Sequence, residues 1–287
     1  MVLLDEMVST SNYCLCKYTM SIIPTMNETA IEVTGLRTKY GDREVLKGLT
    51  FAIPKGKTTV ILGGSGCGKS TLLKHLIGLL KPSEGSISIS GREITNLTDT
   101  EMDDVRRKMG VLFQGAALLN SLTIAENVAL PIKEHTKIND VTVQIMVRMK
   151  LDLVGLSGFD HFYPSQLSGG MKKRAGLARA LALDPEMLFF DEPSAGLDPV
   201  TAAGLDELIL KLQKAFRMTI IVVTHELPSV FAIADYVIML DKGQVLFFGP
   251  LGELKTSDHP RIRQFLERRW EEEEYSPDDY FRMIAGD

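Results

Sequence analysis

The sequence predicts an α/β protein with a parallel core sheet, an antiparallel β subdomain and an inserted α-helical subdomain. Three observations support this prediction. Residues 63–70 form a glycine-rich loop between a strand-like run and a helix-like run. Several short apolar runs end in polar residues, as the strands of parallel sheets do at ligand sites. Between residues 115 and 183, strand signals give way to apolar residues at helical spacing.

Composition and charge restrict the class of protein. The chain has 287 residues, 45% apolar and 24% charged, which suits one or two globular domains. A net charge of −5 provides no basic surface for DNA or RNA, so we expect no nucleic-acid partner. Cys14, Cys16 and Cys67 are an odd set, which argues for a reducing compartment. No apolar run approaches the ~18 residues of a spanning helix, so we expect a cytosolic chain that reaches a membrane only through a partner.

The first part of the chain lacks periodicity. We predict a disordered leader at residues 1–28, because this segment offers no apolar face to bury. Residues 30–38 and 45–53 then alternate apolar and polar side chains around a Gly-Asp turn, which indicates an antiparallel flap. Tyr40 stands at this turn, where it either stacks on an adenine ring or packs as an ordinary aromatic residue.

The glycine-rich loop fits the phosphate-binding pattern G-x-x-x-x-G-K-[ST]. It lies between a buried strand predicted at residues 58–62 and a helix predicted to run to Leu80. The predicted nucleotide-binding residues here are Gly63, Gly64, Ser65, Gly66, Cys67, Gly68, Lys69, Ser70 and the adjacent Thr71. Backbone N–H groups can face phosphate oxygens, Lys69 can reach the β- and γ-phosphates, and the Ser70 hydroxyl can bind Mg²⁺. The loop therefore predicts binding of a nucleoside triphosphate. Cys67 lies at the helix start, where the dipole favours a reactive thiolate.

A second helix and a short strand come next. The capping box of Thr98 and Glu101 predicts a helix that stops at Gly110. Residues 111–113 then form a buried strand that ends in Gln114. Because parallel sheets bind ligands beyond the carboxyl ends of their strands, we expect Gln114 to lie at the site.

Within the helical segment, a Leu-Ser-Gly-Gly sequence precedes a basic helix. Ser168 is a natural N-cap, and Gly169 and Gly170 expose backbone N–H groups. The helix carries the basic residues Lys172, Lys173, Arg174 and Arg179. We interpret this segment as a second anion site, with a capped loop that binds nothing as the alternative.

Two acidic residues follow the next buried strand, at residues 187–190. Asp191 would hold Mg²⁺ and Glu192 would be the base for an attacking water, as phosphoryl transfer requires. A further buried strand at residues 219–224 ends in His225. A lone histidine is usually structural, but this is the third strand to end in a polar residue, so we expect His225 to contact the γ-phosphate.

The end of the chain predicts a hairpin with strands at 237–240 and 245–248, and then an amphipathic helix at 259–270. The acidic residues 271–274 lead to an apolar tail that we expect another surface to cover. The predicted domain boundaries are 1–28 for the leader, 29–257 for the nucleotide-binding domain with its helical subdomain at about 115–183, and 258–287 for the C-terminal helix and acidic tail.

These motifs together resemble those of the ATP-binding cassette (ABC) ATPases, over about residues 30–250. In chain order they are the phosphate loop, Gln114, residues 167–170, Asp191, Glu192, Asp198 and His225. The resemblance implies a RecA-like P-loop NTPase core, with ATP and Mg²⁺ as cofactors. It implies that Gln114 is a catalytic residue and, with Ser70 and Asp191, a magnesium ligand. The nucleotide contacts that it implies beyond the phosphate loop are Tyr40, Ser168, Gly169, Gly170 and Asp198.

The resemblance also implies partners. ABC ATPases work as head-to-tail homodimers, in which residues 168–170 of one chain close over the ATP held by Lys69 of the other. Shorter runs are similar to the ATPases of Mla/Mce-type phospholipid transporters of the Gram-negative envelope. These runs are residues 112–119, 126–131, 134–136 and 261–266. Met171, where most ABC proteins have glutamine, also resembles that branch. This similarity implies that the transporter moves phospholipid between the inner and outer membranes. It implies a transmembrane permease and a Mce-type lipid-binding subunit as partners. It also implies that the chain lies on the cytoplasmic face of the inner membrane. The alternatives are an ABC transporter for another substrate and a soluble ABC ATPase that transports nothing.

Overall fold

The strands of the protein form two separate sheets in the computed structural model, which describes residues 29–269. The predicted leader (1–28), the last residue of the predicted C-terminal helix (270) and the predicted tail (271–287) lie outside the described residues. The strands are β1 (Thr29–Tyr40), β2 (Arg43–Pro54), β3 (Thr58–Gly63), β4 (Glu84–Ile89), β5 (Arg92–Glu93), β6 (Met109–Leu112), β7 (Met187–Asp191), β8 (Thr219–Val223), β9 (Tyr236–Asp241) and β10 (Gln244–Pro250).

Helices separate most of these strands along the chain. They are α1 (Lys69–Leu76), α2 (Asp99–Arg106), α3 (Ile124–His135), α4 (Asp140–Leu153), α5 (Gly169–Ala180), α6 (Pro199–Phe216), α7 (Leu227–Ile233), α8 (Leu251–Thr256) and α9 (Pro260–Leu266). Helices α3, α4 and α5 follow one another between β6 and β7, and all three pack on each other. The α/β class with inserted helices is therefore confirmed.

The larger sheet has the strand order β10-β9-β3-β8-β7-β6. Neighbouring strands from β9 to β6 run parallel, and β10 closes the edge as the antiparallel partner of β9. Strands β3 and β8 are buried at every residue, because their β-branched and apolar side chains are covered on both faces of the sheet. All the parallel strands therefore end at one common edge.

The smaller sheet is antiparallel, in the order β2-β1-β4-β5, which confirms the predicted flap. The two-residue strand β5 was not predicted. Buried His75 of α1 connects this sheet to the phosphate loop's helix: its Nε2 lies 2.6 Å from Thr38 Oγ1 and its Nδ1 lies 2.8 Å from the Leu80 carbonyl. Since a carbonyl only accepts, Nδ1 carries the proton and Nε2 accepts from the Thr38 hydroxyl. Burial lowers the pKa of His75, so the neutral ring is favoured.

Two predicted helix ends were wrong. Helix α1 ends at Leu76 rather than Leu80, because Gly78 adopts the left-handed conformation with φ of 70°. Helix α2 ends at Arg106, and Gly110 lies inside β6 rather than at the helix stop. Gly110 is required there by close packing, since a Cβ at this position would lie 2.4 Å from the carbonyl oxygen of Ala180 in α5.

The contacts divide the chain into two units after Leu251. In the second unit, α9 begins after His259, whose ring accepts a hydrogen bond from the Arg261 N–H at 3.2 Å. The predicted amphipathic helix is thus shorter than expected, and Ile262 is its buried residue. The short helices α7 and α8 were not predicted. No helix within residues 29–269 has the length and apolarity needed to cross a membrane.

Candidate active site

Four predicted site segments follow four neighbouring strands of the larger sheet. In the order β3-β8-β7-β6, the strands are followed by the phosphate loop, by His225, by Glu192 and by Gln114. Parallel strands place such segments at one edge of the sheet. A hydrogen bond links the segment after β7 to the end of β8, because the Glu192 N–H donates to the Val223 carbonyl at 2.8 Å.

The phosphate loop depends on the absence of side chains at three of its glycines. Gly63, Gly66 and Gly68 have φ of 152°, 72° and 107°, conformations that L-residues with a Cβ rarely adopt. A Cβ on Gly63 would also lie 2.3 Å from the Leu240 carbonyl oxygen. Helix α1 begins directly after the loop, and Gly68 supplies no side chain to cap it. Its first backbone N–H groups are therefore available for an anion.

Two side chains of this loop differ in accessibility. The Lys69 ammonium donates to the carbonyls of Gly63 and Gly64, at 2.8 and 2.9 Å, so its side chain folds back onto the loop. Cys67 is buried, and burial raises the pKa of its thiol, although the charge of Lys69 opposes this effect. Burial of Cys67 argues against the predicted reactive thiolate, because desolvation outweighs the charge of Lys69 and the backbone hydrogen bonds that favour ionisation.

Asp191 and Glu192 form a partly buried acidic pair at the end of β7. Burial raises the pKa of Asp191, the charge of Glu192 raises it further, and Lys74 and nearby ammonium groups lower it. Glu192 has φ of 47°, an uncommon left-handed conformation for this residue type. Its Oε1 accepts a hydrogen bond from His225 Nδ1 at 2.9 Å, whereas Oε2 is buried without a partner among the described residues. The unpaired oxygen is a free acceptor for a water molecule.

Gln114 follows β6 on an exposed turn. The next residues, Ala116 and Ala117, have φ of 59° and 51°. Arg179 stabilises this strained turn, because its guanidinium donates to the Ala117 carbonyl at 2.7 Å and the Ala116 carbonyl at 3.1 Å. The carbonyl of Gln114 itself accepts a hydrogen bond from the ammonium of Lys173.

The prediction of a second anion site is corrected in one respect. Ser168 is the N-cap of α5, as expected, and accepts from the Met171 N–H at 3.3 Å. The basic side chains Lys173, Arg174 and Arg179, however, donate to backbone carbonyls of the same chain. Sequence reasoning missed this use of the basic residues, because their acceptors lie 19 to 63 positions away in the chain.

Three predicted nucleotide contacts form no hydrogen bond or ion pair with the strand-end group in the described part of the chain. Asp198 is the N-cap of α6 and accepts from the N–H groups of Val200 and Thr201 at 3.1 and 3.0 Å. The hydrogen bond from the Thr201 hydroxyl lowers the pKa of Asp198 most, and the two bonds from backbone N–H groups lower it further. Within residues 29–269, no hydrogen bond or ion pair links Tyr40, Ser168 or Asp198 to the residues after β3, β6, β7 and β8.

The donors present at the strand ends suit Mg²⁺ in company with phosphate. In the described part of the chain no three acidic, histidine or cysteine side chains cluster as a metal site of their own. Magnesium commonly takes one or two carboxylates plus substrate phosphates, so the Asp191 carboxylate with the Ser70 hydroxyl and the Gln114 amide oxygen is a fitting oxygen set. The charge of Glu192 raises the pKa of partly buried Asp191, and a cation bound at this carboxylate would offset that repulsion.

Comparisons with known proteins agree with this geometry. The family model for ABC transporters matches residues 46–195. The chain is 44% identical over 241 residues to the intermembrane phospholipid transport system ATP-binding protein MlaF of Haemophilus influenzae, covering 84% of this chain and 91% of that protein. It is 45% identical over 240 residues to the probable ribonucleotide transport ATP-binding protein mkl of Mycobacterium leprae, covering 84% and 69%.

A solved structure supports the fold directly. The dimeric ATP-binding cassette MJ0796, in a post-hydrolysis state with ADP and Pi, aligns with a TM-score of 0.71 at 31% identity, over 77% of this chain and 98% of that one. The predicted resemblance and the ABC ATPase fold are thereby confirmed. The chain belongs to the ABC transporter family, as one of its ATPases.

Proposed function

We propose that this ATPase powers a transporter that moves phospholipid between the inner and outer membranes of a Gram-negative envelope. The observation that carries the proposal is the similarity to MlaF of Haemophilus influenzae, which extends over most of both chains. The mycobacterial relative is named for ribonucleotide transport, which makes ribonucleotide the second candidate substrate. The match spans a smaller share of that relative, so we favour phospholipid.

ATP binding is assigned to the loop after β3. The backbone N–H groups of residues 63–71 and the Lys69 ammonium would hold the triphosphate, with Tyr40 stacked on the adenine. Mg²⁺, held by Ser70, Gln114 and Asp191, would neutralise charge on the phosphates.

The hydrolytic step is assigned to Glu192. A water bound at its unpaired Oε2 would lose a proton to the carboxylate as its oxygen attacks the γ-phosphorus. The bond from the γ-phosphorus to the β–γ bridging oxygen would break, so that ADP leaves with that oxygen and inorganic phosphate is formed. His225 holds the other oxygen through Nδ1, which fixes the orientation of the carboxylate. A phosphate oxygen only accepts, so the proposed contact of Nε2 with the γ-phosphate would need an N–H on this second ring nitrogen as well. The Glu192 side chain is 14% exposed, whereas the His225 side chain is 58% exposed, so the pair lies at the edge of the solvent.

A second copy of the chain would complete each site. Ser168 to Gly170 form the N-cap and first residues of α5, and within residues 29–269 their only hydrogen bonds are to α5 itself. The N-terminal end of a helix suits an anion such as the γ-phosphate held by the other protomer. The solved relative MJ0796 is a dimer. We therefore propose a head-to-tail homodimer that is attached to the cytoplasmic face of the inner membrane by a permease and associated with a Mce-type lipid-binding subunit.

Co-purification tests the transport assignment. The tagged chain, expressed in its own cell, is purified from detergent-solubilised membranes, and mass spectrometry identifies the associated proteins and small molecules. The complex is then assayed for ATP hydrolysis with phospholipid and with ribonucleotides, and the Lys69→Ala complex provides the background rate.

The proposal predicts a multi-spanning permease, a Mce-type protein and bound phospholipid, with hydrolysis that responds to phospholipid. A complex that carries ribonucleotide and responds to it would support the second candidate. Recovery of ribosomes or DNA-repair proteins without a permease would contradict both.

A further inference from the structure

Lys173 connects two segments of the active site from the inside of the protein. It lies on α5 and is 6% exposed. Its ammonium donates to the carbonyl of Gln114 and to the carbonyl of Glu192, the latter at 3.3 Å. These carbonyls follow the neighbouring strands β6 and β7. One buried cation therefore bridges the turn that carries Gln114 and the residue that carries the proposed base.

Both bridged segments have strained backbones. Glu192 has φ of 47°, and Ala116 and Ala117, just after Gln114, have φ of 59° and 51°. The left-handed conformation is unfavourable for a residue with a Cβ. Such conformations persist only where the surroundings hold them, and here the surroundings are cationic donors to their carbonyls. The orientation of the Gln114 turn and of Glu192 is thus fixed by bonds that α5 supplies.

Close packing allows the lysine to make this bridge. Gly176, one helical turn after Lys173, faces the same turn of the chain: a Cβ there would lie 2.8 Å from Leu112 Cδ1 and 3.0 Å from the Ala116 carbonyl oxygen. Helix α5 therefore approaches the Gln114 turn closely enough for the ammonium to reach both carbonyls. Desolvation of the ammonium lowers the pKa of Lys173, and the charges of Asp191 and Glu192 oppose this effect.

We propose that Lys173 is a positioning residue for ATP hydrolysis, whose ammonium holds the Gln114 turn against the Glu192 backbone and so aims both side chains at one site. The proposal rests on the assignment of Gln114 and Glu192 to that reaction. The Lys173 ammonium bonds to two backbone carbonyls, and its effect on the reaction is exerted through them. Because Ser168 is the N-cap of α5, the same helix links Ser168 to the segments that carry Gln114 and Glu192.

Steady-state ATPase kinetics of Lys173→Met, in the full chain or its purified complex, test this role. Methionine keeps most of the buried volume and removes both hydrogen bonds. We expect kcat to fall by about 10- to 100-fold, because small displacements of catalytic groups have effects of this order. KM for ATP should stay within about twofold, since the phosphate loop is untouched.

The matched control is Lys150→Met. Lys150 is also mostly buried, with a side chain 13% exposed, and its ammonium pairs with Asp184, which precedes β7 at the end opposite Glu192. Lys150→Met should retain the wild-type kcat. If the wild type itself fails to hydrolyse ATP, the proposed function fails; if wild type and Lys150→Met are active and Lys173→Met equals them, the positioning role alone is refuted.

Hydrogen exchange separates positioning from general loss of folding. The Ala116 N–H bonds to the Phe113 carbonyl at 2.8 Å, so its exchange reports on the Gln114 turn. In Lys173→Met, peptides that contain this turn and Glu192 should exchange faster while those of β3 and β8 stay protected. Lys173→Gln, which keeps one neutral donor, should recover part of kcat. Equal kcat in the Met and Gln variants, or faster exchange throughout the protein, would refute the role.

Discussion

The exchange Glu192→Gln tests the proposed base most sharply. The amide keeps the shape of the side chain and can still bond to His225, but it cannot take a proton at the position of the unpaired Oε2. We expect kcat to fall by about 10²- to 10⁴-fold, the usual contribution of a positioned base, which is roughly 3–5 kcal/mol of transition-state stabilisation. ATP affinity should be retained. The melting temperature should not fall, because the exchange removes a charge that raises the pKa of buried Asp191.

Glu226→Gln is the control for this exchange. The Glu226 carboxylate lies 3.7 Å from the other ring nitrogen of His225 and is 45% exposed, so it resembles Glu192 in charge and neighbour but not in burial. Its loss should leave kcat unchanged within about twofold, as expected for an exposed ion pair. Phosphate release at saturating ATP and equilibrium binding of a fluorescent ATP analogue measure both quantities. Near-normal turnover in Glu192→Gln, or equal losses in the two variants, would refute the assignment.

Three further predictions concern the framework of the site. Gly110→Ala should lower the free energy of unfolding by about 1–3 kcal/mol in urea titrations. The new Cβ would lie 2.4 Å from the Ala180 carbonyl oxygen, so α5 would have to move. An unchanged urea midpoint of unfolding would contradict this prediction. The melting temperature should decrease as the pH falls below about 6.5, because the pKa of His75 is lower in the folded state than in the unfolded state. The stability that neutral His75 contributes is fully present above the unfolded-state pKa and is lost as the pH falls through the folded-state pKa. His75→Gln should flatten this dependence of the melting temperature on pH. Native Cys67 should react with maleimide far more slowly than the same protein in urea, and equal rates would show that its thiol is accessible.

The sheet and the strand-end residues were predictable because their signals are local. A buried parallel strand is a short β-branched run, and a polar residue directly after it marks the ligand edge. Thus Gln114, Glu192 and His225 were singled out by position, and the structure brings the segments that carry them to neighbouring strand ends. Their chemical roles remain predictions that the kinetic variants test.

The features that were missed depend on contacts between distant parts of the chain. The sequence around Gly110 is consistent both with the end of a helix and with a glycine inside a strand. The close packing of Ala180 against Gly110, which excludes a Cβ there, is visible only in the folded structure. The basic residues after Ser168 resemble an anion site, whereas Lys173 and Arg179 reach carbonyls 59 to 63 positions earlier. The thiolate expected at Cys67 follows from the helix start alone, and the burial that opposes it comes from tertiary packing.

The central claim is that each hydrolytic site is shared between two chains. Lys69 opens a helix of the core and Ser168 caps a helix of the inserted subdomain, and we expect them to meet only across the dimer. Chains with Lys69→Ala and chains with Ser168→Arg should each be unable to trap ATP as homodimers. In a mixed dimer with shared sites, one site carries both defects and the other is intact, because each chain supplies the group that its partner lacks.

The decisive measurement is occluded ATP in purified mixed dimers that carry differently tagged chains, with Glu192→Gln in both to stop turnover. Shared sites predict about one trapped ATP per mixed dimer and almost none in either parental homodimer, in line with the loss of a charge-assisted phosphate contact. If both groups instead act within one chain, every site of the mixed dimer has one defect. Mixed dimers that trap no more ATP than the parental homodimers would contradict the shared site.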